Sequence, residues 1–224
     1  MKVTKSKRIL GALLFSSLFL AACSADEGDT KEQAAIEVAV ESDQLEQYFT
    51  DPTVLEFTKS VINTEFKDFK LPAVYGGETI DTSKFEGKPF IVKYAYSGCS
   101  ACQQTQPHVQ KFMEENPDVP IIQVFNETDT KESIDNFLTT TGTFEHDLMV
   151  IDNQDVKFAE THKAKYTPSL YFIDHNGNIS FATIGSVDES RLDAYMDLAF
   201  NHVPEELYTP RNKSNIIAEV ENKK

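Results

Sequence analysis

The chain has no tryptophan, three cysteines, and 21 lysines and arginines against 36 aspartates and glutamates in 224 residues. That shortage of positive charge, a formal net of -15, makes a surface that repels phosphate backbones and excludes nucleic acid as a natural partner. An anionic lipid surface is repelled in the same way, so membrane attachment has to come from something other than charge. No apolar run reaches the ~20 residues that span a bilayer. The longest, from Ile9 to Leu20, is closed by Ala21 and Ala22. A second cysteine pair is missing too, so a four-ligand zinc site would have to recruit His108 or His162, against the usual ligand spacing. Internal repeats and a second domain are absent. Apolar residues are plentiful: a 40% hydrophobic content with 16 Phe and 8 Tyr supplies the core of one ordinary domain and excludes global disorder.

The N-terminus reads as an address. Lys2, Lys5, Lys7 and Arg8 form a basic region, and Ile9 to Leu20 an apolar one, in the order of an export signal. Leu20-Ala21-Ala22-Cys23 resembles the lipobox of bacterial lipoproteins. That resemblance implies removal of residues 1–22 and acylation of Cys23, the new N-terminus. The remaining chain carries 17 basic against 36 acidic residues, a charge near -19. Two or three acyl chains, such as palmitate, hold a protein firmly where one holds it marginally. The expected location is therefore the outer face of the cell membrane. Residues 23–42, acidic and aperiodic, read as a tether.

The other two cysteines form the motif Cys99-Ser100-Ala101-Cys102. It follows Phe90-Ile91-Val92-Lys93-Tyr94-Ala95-Tyr96, a run rich in β-branched and aromatic residues, and precedes the helical spacing of Val109, Phe112 and Met113. A C-x-x-C at a strand-to-helix junction is the usual position of a redox-active thiol pair. Asp51-Pro52 starts a helix expected to about residue 64, after a shorter helical piece near 45–49. Pro107 is expected to kink the helix that follows the cysteines. Ile121 to Phe125 is the next strand, and Asp129 with Glu132 reads as a capping box for a helix over Ile134, Phe137 and Leu138. A further helix is expected near 153–162. A hairpin then turns at Asp174–Asn178, and a last helix is capped by Ser186 and Glu189. Apart from that zinc possibility, all five histidines read as surface or loop residues. The order strand, helix, strand, helix, hairpin, helix makes a mixed central sheet flanked by helices, an α/β fold. The segments are 43–65, a helical extension; 66–202, the folded domain; and 203–224, a polar tail.

This ordered set resembles the thioredoxin fold, and within it the membrane-tethered extracytoplasmic thiol-disulfide oxidoreductases of the TlpA/ResA type. The likeness rests on Phe66 to Pro72 with Gly76-Gly77-Glu78-Thr79-Ile80, on Phe85 to Pro89, on Cys99 and Cys102 with Pro107, on Thr167-Pro168, and on Asn176-Gly177. The family commonly has tryptophan immediately before the first cysteine and three residues earlier; Gly98 and Ala95 stand there. Thioredoxin carries a buried acid six residues before the first cysteine, where this chain has Lys93. That lysine either sits at an edge with its amine in solvent or lies near the thiols as a proton-transfer group.

The resemblance implies exchange of disulfides with exported cysteine-containing proteins, recycled by a membrane or extracytoplasmic redox partner. Cys99 is expected to attack, because the helix start favours a thiolate there. Cys102 is expected to resolve the mixed disulfide. Thr167 and a cis-Pro168 would take an extended substrate. The pair itself is the only cofactor expected, no metal is called for, and a monomer is expected. Ser100 and Ala101 supply no histidine, which tilts the expected direction towards a reductant. An oxidase of the same fold and a non-catalytic binding or chaperone lipoprotein are the alternatives.

Overall fold

The computed structural model describes Phe49 and residues 51–200. The signal region, Cys23, the tether, the 45–49 helical piece apart from Phe49, and the 203–224 tail lie outside the described residues. In chain order the elements are α1 (Pro52–Val61), the short strands β1 (Lys70–Pro72) and β2 (Thr79–Asp81), a 3-10 turn (Thr82–Phe85), β3 (Phe90–Ala95), α2 (Ser100–Glu115), β4 (Ile121–Phe125), α3 (Lys131–Thr141), β5 (Met149–Ile151), α4 (Phe158–Thr161), β6 (Ser169–Ile173), β7 (Ile179–Ile184) and α5 (Glu189–Phe200). None of these helices is long and apolar enough to cross a membrane.

Five strands form one sheet in the order β5-β4-β3-β6-β7. β3, β4 and β5 run parallel because α2 and α3 carry the chain back across the sheet between them. β6 and β7 are antiparallel additions joined by a tight turn, in which the Asp174 carboxylate accepts from the N–H groups of Asn176 and Asn178. Every residue of β3, β4 and β6 is buried, which is why these strands read as continuous apolar runs rather than alternating ones. One face of the sheet packs Phe66, Phe90, Tyr94, Phe158 and Tyr171. The other packs Ile91, Val109, Phe112, Phe172 and Leu192. A third cluster, of Ala95, Cys102, Phe125, Phe137 and Met149, closes the end of β3 where the thiols lie.

Both margins of the sheet are covered by the chain that precedes it. Asn63 N–H donates to Ile179 O (2.8 Å), Ile179 N–H to Thr64 O (2.9 Å) and Phe66 N–H to Gly177 O (2.9 Å). The Thr58 hydroxyl of α1 reaches Ala182 O of β7 (2.8 Å). At the β5 margin, Val74 N–H donates to Met149 O (2.7 Å).

Several local expectations shift. α1 ends at Val61 rather than 64, and Asn63 turns left-handed at φ 58°. α2 carries Pro107 inside it and continues to Glu115. The cap of α3 is Thr130 with Ser133, one residue later than the expected pair, because Asp129 is used elsewhere. α5 opens with the Asp188 carboxylate accepting from Arg191 N–H (3.0 Å). The helix expected over 153–162 shrinks to α4: Lys157 takes φ 48°, and the Asn153 side chain folds the preceding residues into a turn. His162 is no surface residue. Its ring lies 4.4 Å from both Phe66 and Phe158, centroid to centroid, and burial keeps it neutral by lowering its pKa to about 4.

Candidate active site

The site is built where β3 hands over to α2. Cys99 is the N-cap residue of α2, with extended backbone (φ -84°, ψ 118°), and its sulfur accepts the N–H of Cys102 at 3.1 Å. The preceding loop is pinned by Asp129, which is 6% exposed. Its carboxylate accepts from the Ser97 N–H (3.2 and 3.3 Å) and from the Ser97 and Ser133 hydroxyls. From the helix side, the Gln103 amide donates to Ser97 O (3.3 Å). At Gly98 a Cβ would lie 2.8 Å from the Tyr96 ring, so a side chain there requires that exposed ring to swing aside. The position where the resemblance leads one to expect tryptophan is thus covered by the tyrosine two residues earlier.

The two thiols differ sharply in environment. Cys99 is partly exposed, whereas Cys102 is completely buried and its thiol is pushed up to about 12, chiefly by burial. The Cys99 thiol lies 3.2 Å from the carbonyl oxygen of Thr167, to which it donates. The Thr167–Pro168 peptide is cis. The turn is held by the Ser169 hydroxyl, which donates to Tyr166 O at 2.6 Å. Thr167 is half-buried and Pro168 buried, while Tyr96, three residues before Cys99, and Tyr166, just before Thr167, stay exposed.

Lys93 has no exposed surface. Its ammonium donates to Gln106 Oε1 and, at 3.2 Å, to Gln123 Oε1, and it sits 5.7 Å from the centroid of the Phe137 ring. Burial lowers its pKa to about 8, and thiolate charge on Cys102 and then Cys99 pulls it back up. The edge position with the amine in solvent is therefore ruled out. Sequence reading missed four residues here. By its spacing to Glu132, Asp129 reads as a helix cap rather than a loop anchor. Gln106 lies four residues past Cys102 on the same helix face. Gln123 is the direct β4 partner of Lys93, and a lone amide in an apolar strand beside a lysine was the available signal. His146 joins through Gln123 (2.8 Å between Nε2 atoms) and had no sequence signal. Among the described residues no group of three or more His, Cys, Asp or Glu is arranged to hold a metal ion.

Such an arrangement can carry thiol exchange: an accessible sulfur at a helix start, a second sulfur one turn inside, and an adjoining backbone that an extended chain can meet. Residues 77–200, more than half of the chain, match the family model described as a thioredoxin-like domain. The chain belongs to the thioredoxin-like family. The thiol-disulfide oxidoreductase ResA of Halalkalibacterium halodurans is 21% identical over 167 residues, which cover 74% of this chain and 89% of that one. A thiol:disulfide interchange protein of Chlorobium tepidum superposes with a TM-score of 0.53 at 17% identity, over 61% of this chain and 95% of that one. The pneumococcal exposed lipoprotein thioredoxin Etrx1 of Streptococcus pneumoniae gives 0.50 at 23% identity, over 58% and 99%. These likenesses place the mixed sheet and its helices in the thioredoxin fold and agree with the ResA type that the motifs indicated.

Proposed function

We propose that this thioredoxin-like chain is a lipid-anchored, extracytoplasmic thiol-disulfide oxidoreductase that exchanges disulfides with exported cysteine-containing proteins. The observation that carries the reading is the pairing of a partly exposed Cys99, 3.2 Å from Thr167 O beside the cis Pro168, with a wholly buried Cys102 one turn further in. Cys99 as thiolate attacks a substrate disulfide, one substrate sulfur leaves, and a mixed disulfide remains. Cys102 then gives up its proton and attacks Cys99, which releases the second substrate sulfur as a thiolate and leaves the Cys99–Cys102 disulfide. Lys93 is the group that takes the proton of Cys102. Thr167 pairs with an extended substrate through its backbone, and Pro168 keeps that surface free of a competing donor.

Residues 1–22 act as the signal, acylated Cys23 as the anchor and 23–42 as the tether. The extension 43–65 and the tail 203–224 flank the domain of 66–202. The lipobox-like order Leu20-Ala21-Ala22-Cys23 after a basic and an apolar stretch supports this arrangement. No cofactor beyond the disulfide is needed, and the protein works as a monomer recycled by a membrane-side redox partner.

The direction we favour is reduction, on the absence of a histidine between the cysteines. One observation favours the opposite direction: a buried ammonium beside the thiols stabilises the thiolate and so the reduced form, as in strongly oxidising members. The reduction potential decides. A value on the order of -270 mV supports the reductant and one near about -120 mV the oxidase. Lys93→Met is expected to make it more negative by tens of mV, about 30 mV for each ~1.4 kcal/mol of lost thiolate stabilisation. The chemistry itself is tested in cells. Cys102→Ser is expected to accumulate mixed disulfides through Cys99, and Cys99→Ser to accumulate none. Failure of Cys102→Ser to trap any partner overturns the assignment.

A further inference from the structure

Lys93, Gln123 and His146 form a line of polar side chains from beneath the thiols to the surface. Lys93 Nζ is 3.2 Å from Gln123 Oε1, and Gln123 Nε2 is 2.8 Å from His146 Nε2. His146 opens onto a cavity of about 200 Å³ at the foot of α2 that also meets Gln110, Phe144 and Glu145.

The hydrogens along this line cannot be placed in a single arrangement. Burial keeps His146 neutral, with a pKa lowered to about 4, and the charge of Lys93 pushes the same way. A neutral imidazole has one N–H and one bare nitrogen. Nδ1 of His146 faces the Leu148 N–H at 3.2 Å, so Nδ1 must be bare and Nε2 must carry the hydrogen. Whatever faces Nε2 then has to be an acceptor. The Gln123 amide serves only if it is turned over, with its oxygen to His146. Its NH2 then points at Lys93, which accepts a hydrogen bond only as a neutral amine. With Lys93 an ammonium, the Gln123 oxygen turns to Lys93 and its NH2 to His146. The histidine must then carry its hydrogen on Nδ1, and the Leu148 N–H loses its acceptor. There are two self-consistent patterns, one for each protonation state of Lys93.

We propose that Gln123 and His146 are positioning residues for thiol exchange, an amide flip and a tautomer shift that follow the proton as it moves between Cys102 and Lys93. The proposal rests on the reading of Lys93 given above. In the resolving step the Cys102 S–H proton passes to the Lys93 amine and a Cys102–Cys99 bond forms. The bond from Cys99 to the substrate sulfur breaks, with its electron pair leaving on the substrate. Lys93 is then an ammonium with no thiolate beside it, and it loses its proton to water. The disulfide form therefore holds the neutral amine, the Nε2–H tautomer and the Leu148 bond. The form with a thiolate in the pair holds the ammonium and the Nδ1–H tautomer.

The groups that face the line come from every neighbouring element. Cys99, Cys102 and Gln106 of α2, Gln123 of β4 and the Phe137 ring of α3 surround Lys93. Asp147 acts on His146, and Glu114 and Glu145 border its cavity. None of these three carboxylates exchanges a proton in the thiol step, so the change that His146 senses comes from the thiol side.

Nitrogen NMR on the full chain in detergent, labelled at histidine and held at pH 8, reads the tautomer; signals that vanish in His146→Gln belong to His146. The protonated nitrogen is expected to move from Nε2 in the disulfide form to Nδ1 in the dithiol form. Lys93→Met, and separately Gln123→Met, which keeps a similar volume, are expected to abolish the difference. The same tautomer in both forms, or a difference that survives Lys93→Met, overturns the proposal. Reduction of insulin disulfides by the same sample separates the two readings. An active protein with an unchanging His146 sinks this inference alone, whereas an inactive wild type sinks the proposed function and this inference with it.

Discussion

Lys93→Met probes the buried charge through folding stability as well as through chemistry. Methionine fills much the same volume without the ammonium. In the folded protein burial lowers Lys93 from 10.5 to about 8, a drop of about 2.5 pH units on a side chain with no exposed surface. At ~1.4 kcal/mol per unit, the folded state bears a cost of roughly 3 kcal/mol for keeping Lys93 charged. Between about pH 8 and 10.5 the unfolded chain holds a proton that the folded chain has lost, so stability rises with pH across that window. Below pH 8 the whole cost is present, and above 10.5 it is gone. The buried thiol of Cys102, raised from 9.0 to about 12, acts in the opposite sense, holding a proton that the unfolded chain gives up. The measurement is therefore made on the disulfide form, where neither thiol titrates; without thiolate charge to pull it up, Lys93 lies lower still there, and the window opens below pH 8. Guanidinium unfolding at pH 7 to 10, followed by circular dichroism, gives the stability of wild type and variant, and the tyrosines common to both cancel in the difference. The variant forfeits the lysine's hydrogen bonds and leaves Gln106 and Gln123 short of a donor, a loss of about 1–2 kcal/mol. It is expected to be more stable at pH 7 by about 1–2 kcal/mol, and to lose that advantage as pH rises at up to ~1.4 kcal/mol per unit. A difference that stays flat to within about 0.5 kcal/mol from pH 7 to 10 refutes a buried, charge-bearing Lys93.

Two further substitutions test the scaffold. Asp129→Ala removes the acceptor of the Ser97 N–H and hydroxyl and is expected to cost about 1–3 kcal/mol. Amide exchange at Ser97 should then quicken and insulin reduction slow, and unchanged values of both would show that the loop is not held this way. Phe158→Ala opens a cavity among Phe66, Phe69, Tyr94, His162 and Tyr171, with an expected loss of about 3–5 kcal/mol in chemical unfolding. A loss below about 1 kcal/mol would mean that the ring contributes little to the packing of that face.

The order of elements was legible because the central strands are buried on both faces and so stand out as unbroken apolar runs bounded by turn residues. Helix boundaries were less so. Asp129 fits a capping box by spacing, but its carboxylate is drawn to Ser97, 32 positions away, and the cap falls to Thr130. The 153–162 helix failed for a similar reason. Asp152 and Asn153 spend their side chains on nearby N–H groups, and Asp152 accepts from Phe158 and Ala159 to start the helix late. At the site, Cys99, Cys102 and Thr167-Pro168 could be named from spacing and resemblance. The surroundings of Lys93 could not, because Gln106, Gln123 and His146 come from a helix, a neighbouring strand and a loop, and only the packed fold brings them together. His162 was misjudged because a histidine's polarity says nothing of the two phenylalanines that enclose it.

Under the proposed function, which brings exported chains to this protein, the covered margins of the sheet take on a role. An extended client seeks unpaired backbone, and an open sheet edge would recruit it irrespective of whether it carried a cysteine. Here residues 58–66 occupy the β7 side and Val74 the β5 side. A visiting chain is thereby turned away from the places where it would stick and aggregate, and the backbone beside Cys99 is left as the place where a brief stay ends in sulfur chemistry.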